Sequence, residues 1–524
     1  MEPLLTAAEM READRYATQG LGIPEMVLME HAALGLVDCL ESRFLGLLPT
    51  TRGVVIAGTG NNGGDVLAAA RILAQKGCSD LFVVLVGDET RMSRAAALQL
   101  KTLGRLGLAW SHELAPELLS ACDWILDGIF GTGLSRPVEG PAAGIIAQVN
   151  AFAGRKWIVA ADVPSGLDSD RGQPMGVAVV ASETATFGFI KRGLVTGAAA
   201  DHVGRLRLFP IQIPRTIPAV VSQTFLYTSA DSMRLPSRRA TGHKGNHGHV
   251  FVLAGTEDKQ GASLLAARAA FRCGTGLVTI AGRESELPGL RARLGIEVMT
   301  TAWSERLAAT SGGCWIVGPG MGTQKTDWKT LAAILEAPVP LVLDGDALTL
   351  LAGHAEEACR RLSGRGQPTI MTPHPKEAAR LLSLTVDEVQ ADRYRACAAL
   401  VERFHAGVIL KGRGTLVSGP DQPTVVVCRG NTGLSKAGTG DVLAGTVGAL
   451  VAQGTRLARA LPLAAHLHGR AGEIVTERQG QERSLLAGEV ADALAIALEE
   501  IEGCSKCSKE SSAFPSYPPS SRIS

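Results

Sequence analysis

Again and again along this chain a short apolar run ends in a glycine-rich turn, and a helical pattern follows. That rhythm limits the fold more than any single motif. In the first half the runs are "GVVIAG" (53–58), "LFVVLVG" (81–87), "WILDGIFG" (124–131) and "WIVAADVPSG" (157–166). They lack the polar alternation of a half-exposed strand, so both of their faces must be covered. "DVLAAARILAQKG" (65–77) has helical spacing and stops at Gly77, a residue suited to a left-handed C-terminal cap. Strands alternating with helices predict a mostly parallel, doubly wound α/β sheet of Rossmann type, with ligands beyond the carboxyl ends of its strands.

"PIQIPRTIP" (210–218), three prolines in nine residues, breaks the rhythm. Residues 1–220 therefore read as one domain, and a second α/β series fills 225–502 with "HVFVLAG" (249–255), "CWIVGPGMG" (314–322), "PLVLDGDAL" (340–348) and "GVILKG" (407–412). A chain of 524 residues needs more than one core, and no self-similarity links the halves. The Ser/Pro-rich stretch 503–524 reads as a disordered tail. A net charge of +1 gives the whole chain no pull toward nucleic acid or acidic membranes. No run approaches the roughly 18 apolar residues that span a bilayer, and "MEPLLTAAEMREADRYA" reads as an amphipathic helix rather than a signal peptide. Ten cysteines scattered through apolar runs predict reduced, buried thiols and a cytoplasmic protein. The lone "CSKC" (504–507) has no second pair to complete a metal site.

Two glycine-rich stretches carry the chemistry. "GTGNNGGDV" (58–66) satisfies the dinucleotide pattern G-x-G-x-x-G at Gly58, Gly60 and Gly63. Yet Asn61, Asn62 and Asp65 put polar and acidic groups where a bound pyrophosphate prefers bare backbone. Asp88 stands where a dehydrogenase would keep its ribose-binding acid, so that reading is a rival. Asp127 and Asp162 end strands and are expected to face one cleft, where two carboxylates can divide ion binding from acid–base work. In the second half, "AGTGD" (437–441) precedes a helix predicted over 442–453. Its amides suit a phosphate, and Asp441 suits the base for a hydroxyl attacking a phosphoryl group, the alternative being a helix cap. "VILKGRGTLV" (408–417) ends a strand in a Lys-Gly turn, and "IMTPHPKEAARLL" (370–382) holds His374 between two prolines.

The second-half set resembles the ribokinase-like superfamily, whose "GxGD" signature is Gly438-Thr439-Gly440-Asp441. Over roughly 240–475 it is most similar to the nucleotide-dependent NAD(P)H-hydrate dehydratases, through "HKGNHGHVFVLAG", "GASLLAARAAFRCGTGLV", "GPGMG", "TPHPKEAARLL", "LKGRGT" and "KAGTGDVLAG". The resemblance implies that Ala262, Gly322, His374 and Asp441 bind the hydrated nicotinamide nucleotide. It implies that Lys411, Gly412, Arg413, Gly414, Thr415 and Gly440 hold ADP or ATP as co-substrate, with Mg2+. "DGDAL" departs from the family at Gly345, where Ala is usual, one small residue for another.

With that partner, residues 4–197 resemble the epimerase half of bifunctional NAD(P)H-hydrate repair enzymes, through "LLTAAEMREAD", "LMEHAA", "GTGNNGGD", "DGIFGTGLSRP", "ADVPSGLDSD" and "TATFGFIKRGL". This implies substrate binding by Asn61, Asn62, Gly63, Gly64 and Asp65, and by Gly131, Thr132, Gly133, Leu134, Ser135, Arg136 and Pro137. Asp162 would act on the reacting ring, and Asn62, Asp127 and Ser165 would hold a potassium ion. Val66 stands where the family usually has Gly. The function so implied is repair of hydrated NADH and NADPH: epimerisation at C6, then dehydration through a phosphorylated intermediate. Small-molecule substrates and a homo-oligomer are expected, without nucleic acid or membrane. A vitamin-precursor kinase and a non-catalytic scaffold are the remaining rivals.

Overall fold

The computed structural model describes residues 1–504 apart from 219, 229, 230, 232–237, 239, 254, 255, 294 and 311. The tail from 505, and with it most of "CSKC", lies outside the described residues. Two compact units are distinguished, one spanning Pro3–Thr224 and the other running from Phe225, with Met1 and Glu2.

The first unit is built on seven parallel strands: β1 (Gly53–Ala57), β2 (Leu81–Leu85), β3 (Trp110–Ser111), β4 (Trp124–Gly128), β5 (Trp157–Ala161), β6 (Glu183–Phe187) and β7 (Arg205–Phe209). Their order is β3-β2-β1-β4-β5-β6-β7. Strand β1 shows why the runs are apolar throughout. Val55 and Ala57 enter one core with Leu36 and Leu67, while Val54 and Ile56 enter another with Ile125 and Ile146. The switch in strand order falls between β1 and β4, where a doubly wound sheet opens its ligand crevice.

Helix α1 (Ala7–Arg15) is started by a capping box of Thr6 and Glu9. Helix α2 spans Glu25–Phe44, and α3 spans Asn61–Gln75. The start of α3 is four residues earlier than the periodicity suggested, so "NNGGD" is the first turn of a helix and not a loop. Gly60 is its N-cap. At its far end Gly77 is left-handed, with φ +95°. Leu4 and Leu5 pair in parallel with Ile190 and Lys191, which fixes the backbone around Lys191.

In the second unit the strands are β8 (His249–Leu253), β9 (Leu277–Gly282), β10 (Met299–Ala302), β11 (Cys314–Val317), β12 (Leu341–Leu343), β13 (Thr369–Met371), β14 (Gly407–Leu410), β15 (Thr415–Ser418) and β16 (Thr424–Val427). They run β10-β9-β8-β11-β12-β13-β14-β15-β16. The first seven positions are parallel, and β15 and β16 add antiparallel. One core joins Val252, Ile316 and Val342 of the sheet to Val447 and Leu450 of a helix over Thr439–Ala452. Gly345 has φ +55° with no atom closer than 3.5 Å to an added Cβ, so its conformation, not its size, calls for glycine. The exchange of Ala for Gly there is therefore not neutral.

Eight cysteines, from Cys39 to Cys428, are free; Cys359 is partly exposed and the other seven are buried. Burial pushes the thiols of Cys273 and Cys397 up to about 12, and raises Cys39 and Cys314 further still. Among the described residues no helix is long and apolar enough to cross a membrane.

Candidate active sites

In the first unit a cavity of about 880 Å3 opens beyond the carboxyl ends of β1, β4 and β5. It is lined by Asn61, Asn62 and Asp65 of α3, Gly131–Arg136, Asp162, and Asp14 of α1. Asp162 follows β5 and sits in the left-handed region at φ +62°, a strained position for a residue with a Cβ. Its amide donates to the Ala185 carbonyl at 2.7 Å. Its Oδ1 accepts from the Lys191 ammonium, from Phe187 N at 3.1 Å and from Thr186 Oγ1 at 3.4 Å. Lys191 is only 1% exposed and also donates to the Phe187 carbonyl at 2.7 Å, so the pair is locked against β6.

Other acids crowd the same lysine. Burial pushes Asp14 up to about 6, with Lys191 opposing and Asp162 and Glu25 adding to the rise. Asp65 is raised well above the usual carboxylate range by burial and by Asp162 and Asp14.

Behind the cavity wall Asp127 is 1% exposed. Ser165 Oγ donates to its Oδ1 at 2.6 Å, and Ser165 N to its Oδ2 at 2.8 Å. Ser165 Oγ in turn accepts from Phe130 N at 2.8 Å. Burial raises Asp127 to about 6 against these hydrogen bonds. Beside Gly131, whose added Cβ would meet Asn62 Cγ at 3.2 Å, both polar atoms of the Asn62 amide are buried without a partner. A buried amide with neither bond made is costly unless a ligand completes it. The expectation that Asp127 and Asp162 share one cleft therefore holds for Asp162 alone: Asp127 lies within β4, and Ser165 captures its carboxylate.

Three glycines of "GTGNNGG" pack against the chain itself, while Gly60 lines the cavity with open space around it. A Cβ on Gly58 would lie 2.0 Å from the Ile129 carbonyl, and one on Gly63 would lie 1.9 Å from the Gly58 carbonyl. Gly64 abuts Met29. Gly63, Gly64 and Pro137 do not line the cavity. Val66 faces inward, fully buried, with its methyls over Gly128, so its extra bulk never reaches the ligand side. Asp88 is exposed, caps the turn at Thr90 and is not among the residues lining this cavity.

In the second unit the helix Thr439–Ala452 begins at Gly438, left-handed at φ +92°, with no side chain capping it. Asp441 is in the first turn and is not the cap. Thr439 Oγ1 lies 2.8 Å from the Leu434 carbonyl, and His468 Nε2 donates to the Thr439 carbonyl at 2.9 Å. Burial pulls His468 down to about 4, so the ring is the neutral donor. Lys411, at the end of β14, donates to Asp344 Oδ1 at 2.9 Å and lies 3.8 Å from Glu377. An added Cβ at Gly440 would be 3.2 Å from the Lys411 ammonium. Lys411 is thus half-buried among carboxylates. Burial and Asp344 push Asp441 up to about 7, with Lys411 opposing. Burial raises Glu377 in the same way.

His374 is the N-cap of the helix Pro375–Leu382: its Nδ1 accepts from Lys376 N at 3.1 Å and Glu377 N at 3.3 Å. Its Nε2 lies 3.5 Å from Glu377 Oε1, so both ring nitrogens face groups of the same helix turn. Gly322, at φ +98°, donates its amide to Asp346 Oδ2 at 3.0 Å, and Asp346 pairs with Lys259 at 2.9 Å just ahead of the helix Gln260–Arg272 that carries Ala262. The loop 411–415 closes with Thr415 Oγ1 on the Gly412 carbonyl at 3.0 Å, while Arg413 reaches the Gly430 carbonyl at 3.0 Å.

Comparison with known proteins places both halves. Residues 25–193 match the family model described as YjeF-related protein N-terminus, and residues 250–495 match the one described as NAD(P)H-hydrate dehydratase. A bifunctional NAD(P)H-hydrate repair enzyme from Moorella thermoacetica is 35% identical, over 95% of this chain and 97% of its own length. The chain belongs to the bifunctional NAD(P)H-hydrate repair enzyme family. Members from Coxiella burnetii and Escherichia coli are 36% and 31% identical over 93% and 92% of the chain, and over 97% and 91% of their own lengths. A solved ADP/ATP-dependent NAD(P)H-hydrate dehydratase from Bacillus subtilis, co-crystallised with ATP/Mg2+, is 29% identical over 53% of this chain and 99% of its own, with a TM-score of 0.48.

Motif reading within this repair-enzyme family assigned no role to several groups that shape the two sites. Lys191 lies in "TATFGFIKRGL" and Asp14 in "LLTAAEMREAD", but nothing local distinguishes a lysine or aspartate that folds onto a distant partner. Asp344 and Glu377 are of the same kind. Glu377 had one readable signal, the His-x-x-Glu spacing of a helix capping box.

Proposed function

We propose that the two units act in sequence on hydrated NADH and NADPH, the first interconverting the R and S forms at C6 and the second returning the S form to NAD(P)H at the expense of a nucleotide. The observation that carries this reading is Asp441. It is in the first turn of a helix it does not cap, beside Gly440 and the Lys411 ammonium, and it titrates near neutrality. A base that is half ionised at working pH is well matched to taking a proton from a hydroxyl. Asp441 takes that proton as the oxygen forms its bond to the terminal phosphoryl group and the nucleotide's bridging P–O bond breaks. The helix amides face the growing charge. Phosphate is then a good leaving group. The ring nitrogen's lone pair expels it, and loss of a proton from the neighbouring carbon restores the dihydropyridine. Lys411–Thr415 and Gly440 hold ADP or ATP in this reading, and Mg2+ would arrive on the phosphates. Ala262, Gly322 and His374 hold the hydrate.

In the first unit Asp162 gives a proton to the departing hydroxyl and takes one from the water that adds to the other face of the planar iminium. Its backbone strain and the bond from Lys191 hold Oδ1 in place, while Asn61, Asp65 and Gly131–Arg136 grip the nucleotide. Asn62, Asp127 and Ser165 are oxygen donors of the kind a potassium ion takes, and the orphaned Asn62 amide fits that role. Potassium would supply positive charge beside the loop Gly131–Arg136. A homo-oligomer in the cytoplasm completes the proposal; light scattering tests the first and fractionation the second.

The deciding experiment gives the protein a mixture of R and S hydrate with ADP, with ATP or with neither. Complete recovery of NAD(P)H, with one nucleotide phosphoryl group consumed per turnover, is expected. Recovery that stops at the S fraction sinks the role of the first unit, and recovery without nucleotide sinks the phosphorylated intermediate.

A further inference from the structure

The loop assigned to the nucleotide is held from behind by a charge that no motif singled out. Arg393 begins the helix Arg393–Phe404 and is 1% exposed. Its Nη2 reaches the carbonyls of Leu410 at 3.2 Å, Lys411 at 3.3 Å and Gly414 at 3.4 Å, and its Nη1 donates to Gln390 Oε1 at 3.0 Å. Gly412 closes around the same group. At φ +128°, an added Cβ there would come within 2.9 Å of Nη1. The turn thus folds over the guanidinium so closely that only glycine fits.

A trans peptide carries its C=O and N–H on opposite sides. Drawing the Lys411 carbonyl onto Arg393 therefore turns the following amide, that of Gly412, away from it, while Thr415 joins the ladder opposite Val427. Amides turned outward from a glycine-rich turn make a cradle for phosphate oxygens. The planar fork of arginine can take several carbonyls at once in fixed directions, as a lysine ammonium cannot.

We propose that Arg393 is the positioning residue of the nucleotide loop: it sets the direction of the 411–415 peptides, and through them the affinity for a nucleoside di- or triphosphate, without touching that ligand. The inference rests on the reading that Lys411–Thr415 bind ADP or ATP.

The test uses the full-length protein carrying Arg393→Met or Arg393→Lys. KM is measured separately for ADP, ATP and the S hydrate, thermal unfolding reports on folding, and epimerisation reports on the other unit. Losing charge-assisted hydrogen bonds at the loop is expected to raise the nucleotide KM about 10- to 100-fold in Arg393→Met. The hydrate KM stays within about twofold, as it must if only nucleotide binding is weakened. Arg393→Lys keeps the charge and loses the fork, so its nucleotide KM rises by a smaller factor; should the Met variant fail to fold, this one decides. A merely structural role would move both KM values together, or neither, and either result overturns the proposal. Lys411→Ala separates the two claims. An unchanged nucleotide KM there defeats the reading of the loop itself, whereas a raised one alongside normal Arg393 variants defeats only this inference.

Discussion

In the first unit Lys191 donates straight to Asp162; in the second, Lys411 is taken by Asp344 and Glu377, and Asp441 is left among like charges. The same two residue types therefore give different tools. Asp162 is fixed in direction, since Lys191, Phe187 N and Thr186 all donate to Oδ1 and its backbone is strained. Asp441 is tuned in proton affinity, because the nearest cation is already shared. Position is what addition and loss of water at two faces of a ring demands. Affinity near neutrality is what deprotonating a hydroxyl demands.

The sharpest way to break this contrast is to remove each carboxylate in turn. Asp441→Asn is expected to slow dehydration about 10^2- to 10^4-fold, the range for a lost general base, while R/S interconversion followed by NMR is untouched. Asp162→Asn should do the reverse by a similar factor. It should also stay folded, because asparagine tolerates left-handed backbone. If either substitution slowed both reactions equally, the division of labour would be wrong.

Lys191→Met asks whether direct pairing matters. It leaves a carboxylate without its buried partner, so a loss of about 2–3 kcal/mol is expected, below the range for a fully buried pair because Asp162 keeps some access to water. Chemical denaturation measures it, and no loss would mean that Asp162 does not depend on the lysine.

Asp441 then makes a prediction in pH. Its folded value of about 7 exceeds its ordinary 3.8, so the folded state binds the proton more tightly. The stability this contributes is fully present below about pH 4 and is lost as pH rises through about 7. Asp441→Asn, a mimic of the protonated form, should therefore raise the melting temperature more at pH 8 than at pH 5, by a few degrees (about 2–4 °C per kcal/mol for a unit of this size). An equal shift at both values would contradict the tuning. The smallest effect is expected at Gly345→Ala, about 1 kcal/mol of destabilisation from backbone strain alone, with both KM values unchanged.

The parallel sheets were legible because buried strands leave unbroken apolar runs, and "PIQIPRTIP" was legible because proline cannot join a ladder. The start of α3 was not. Asn61 to Gly64 are poor helix formers, and only the packing of Gly63 on Gly58 and Gly64 on Met29 makes a helical turn favourable there. At the sites, Asp162 stood out because it closes a buried apolar strand, and Asp441 because it follows the glycines that open a helix. Lys191, Asp344 and Arg393 did not, since their roles arise from partners 29, 67 and 17 or more residues away. Val66 was the reverse case: conspicuous in sequence, and silent once folded onto Gly128.

The buried thiols have a consequence for endurance. Oxidants attack the thiolate, not the thiol, and at neutral pH Cys39, Cys273, Cys314 and Cys397 are essentially never thiolates. Peroxide stress therefore finds little to react with in either core. A protein whose substrates are chemical damage is thereby built to outlast some of the conditions that cause damage, and exposure to peroxide should leave both activities standing after surface thiols elsewhere have been consumed.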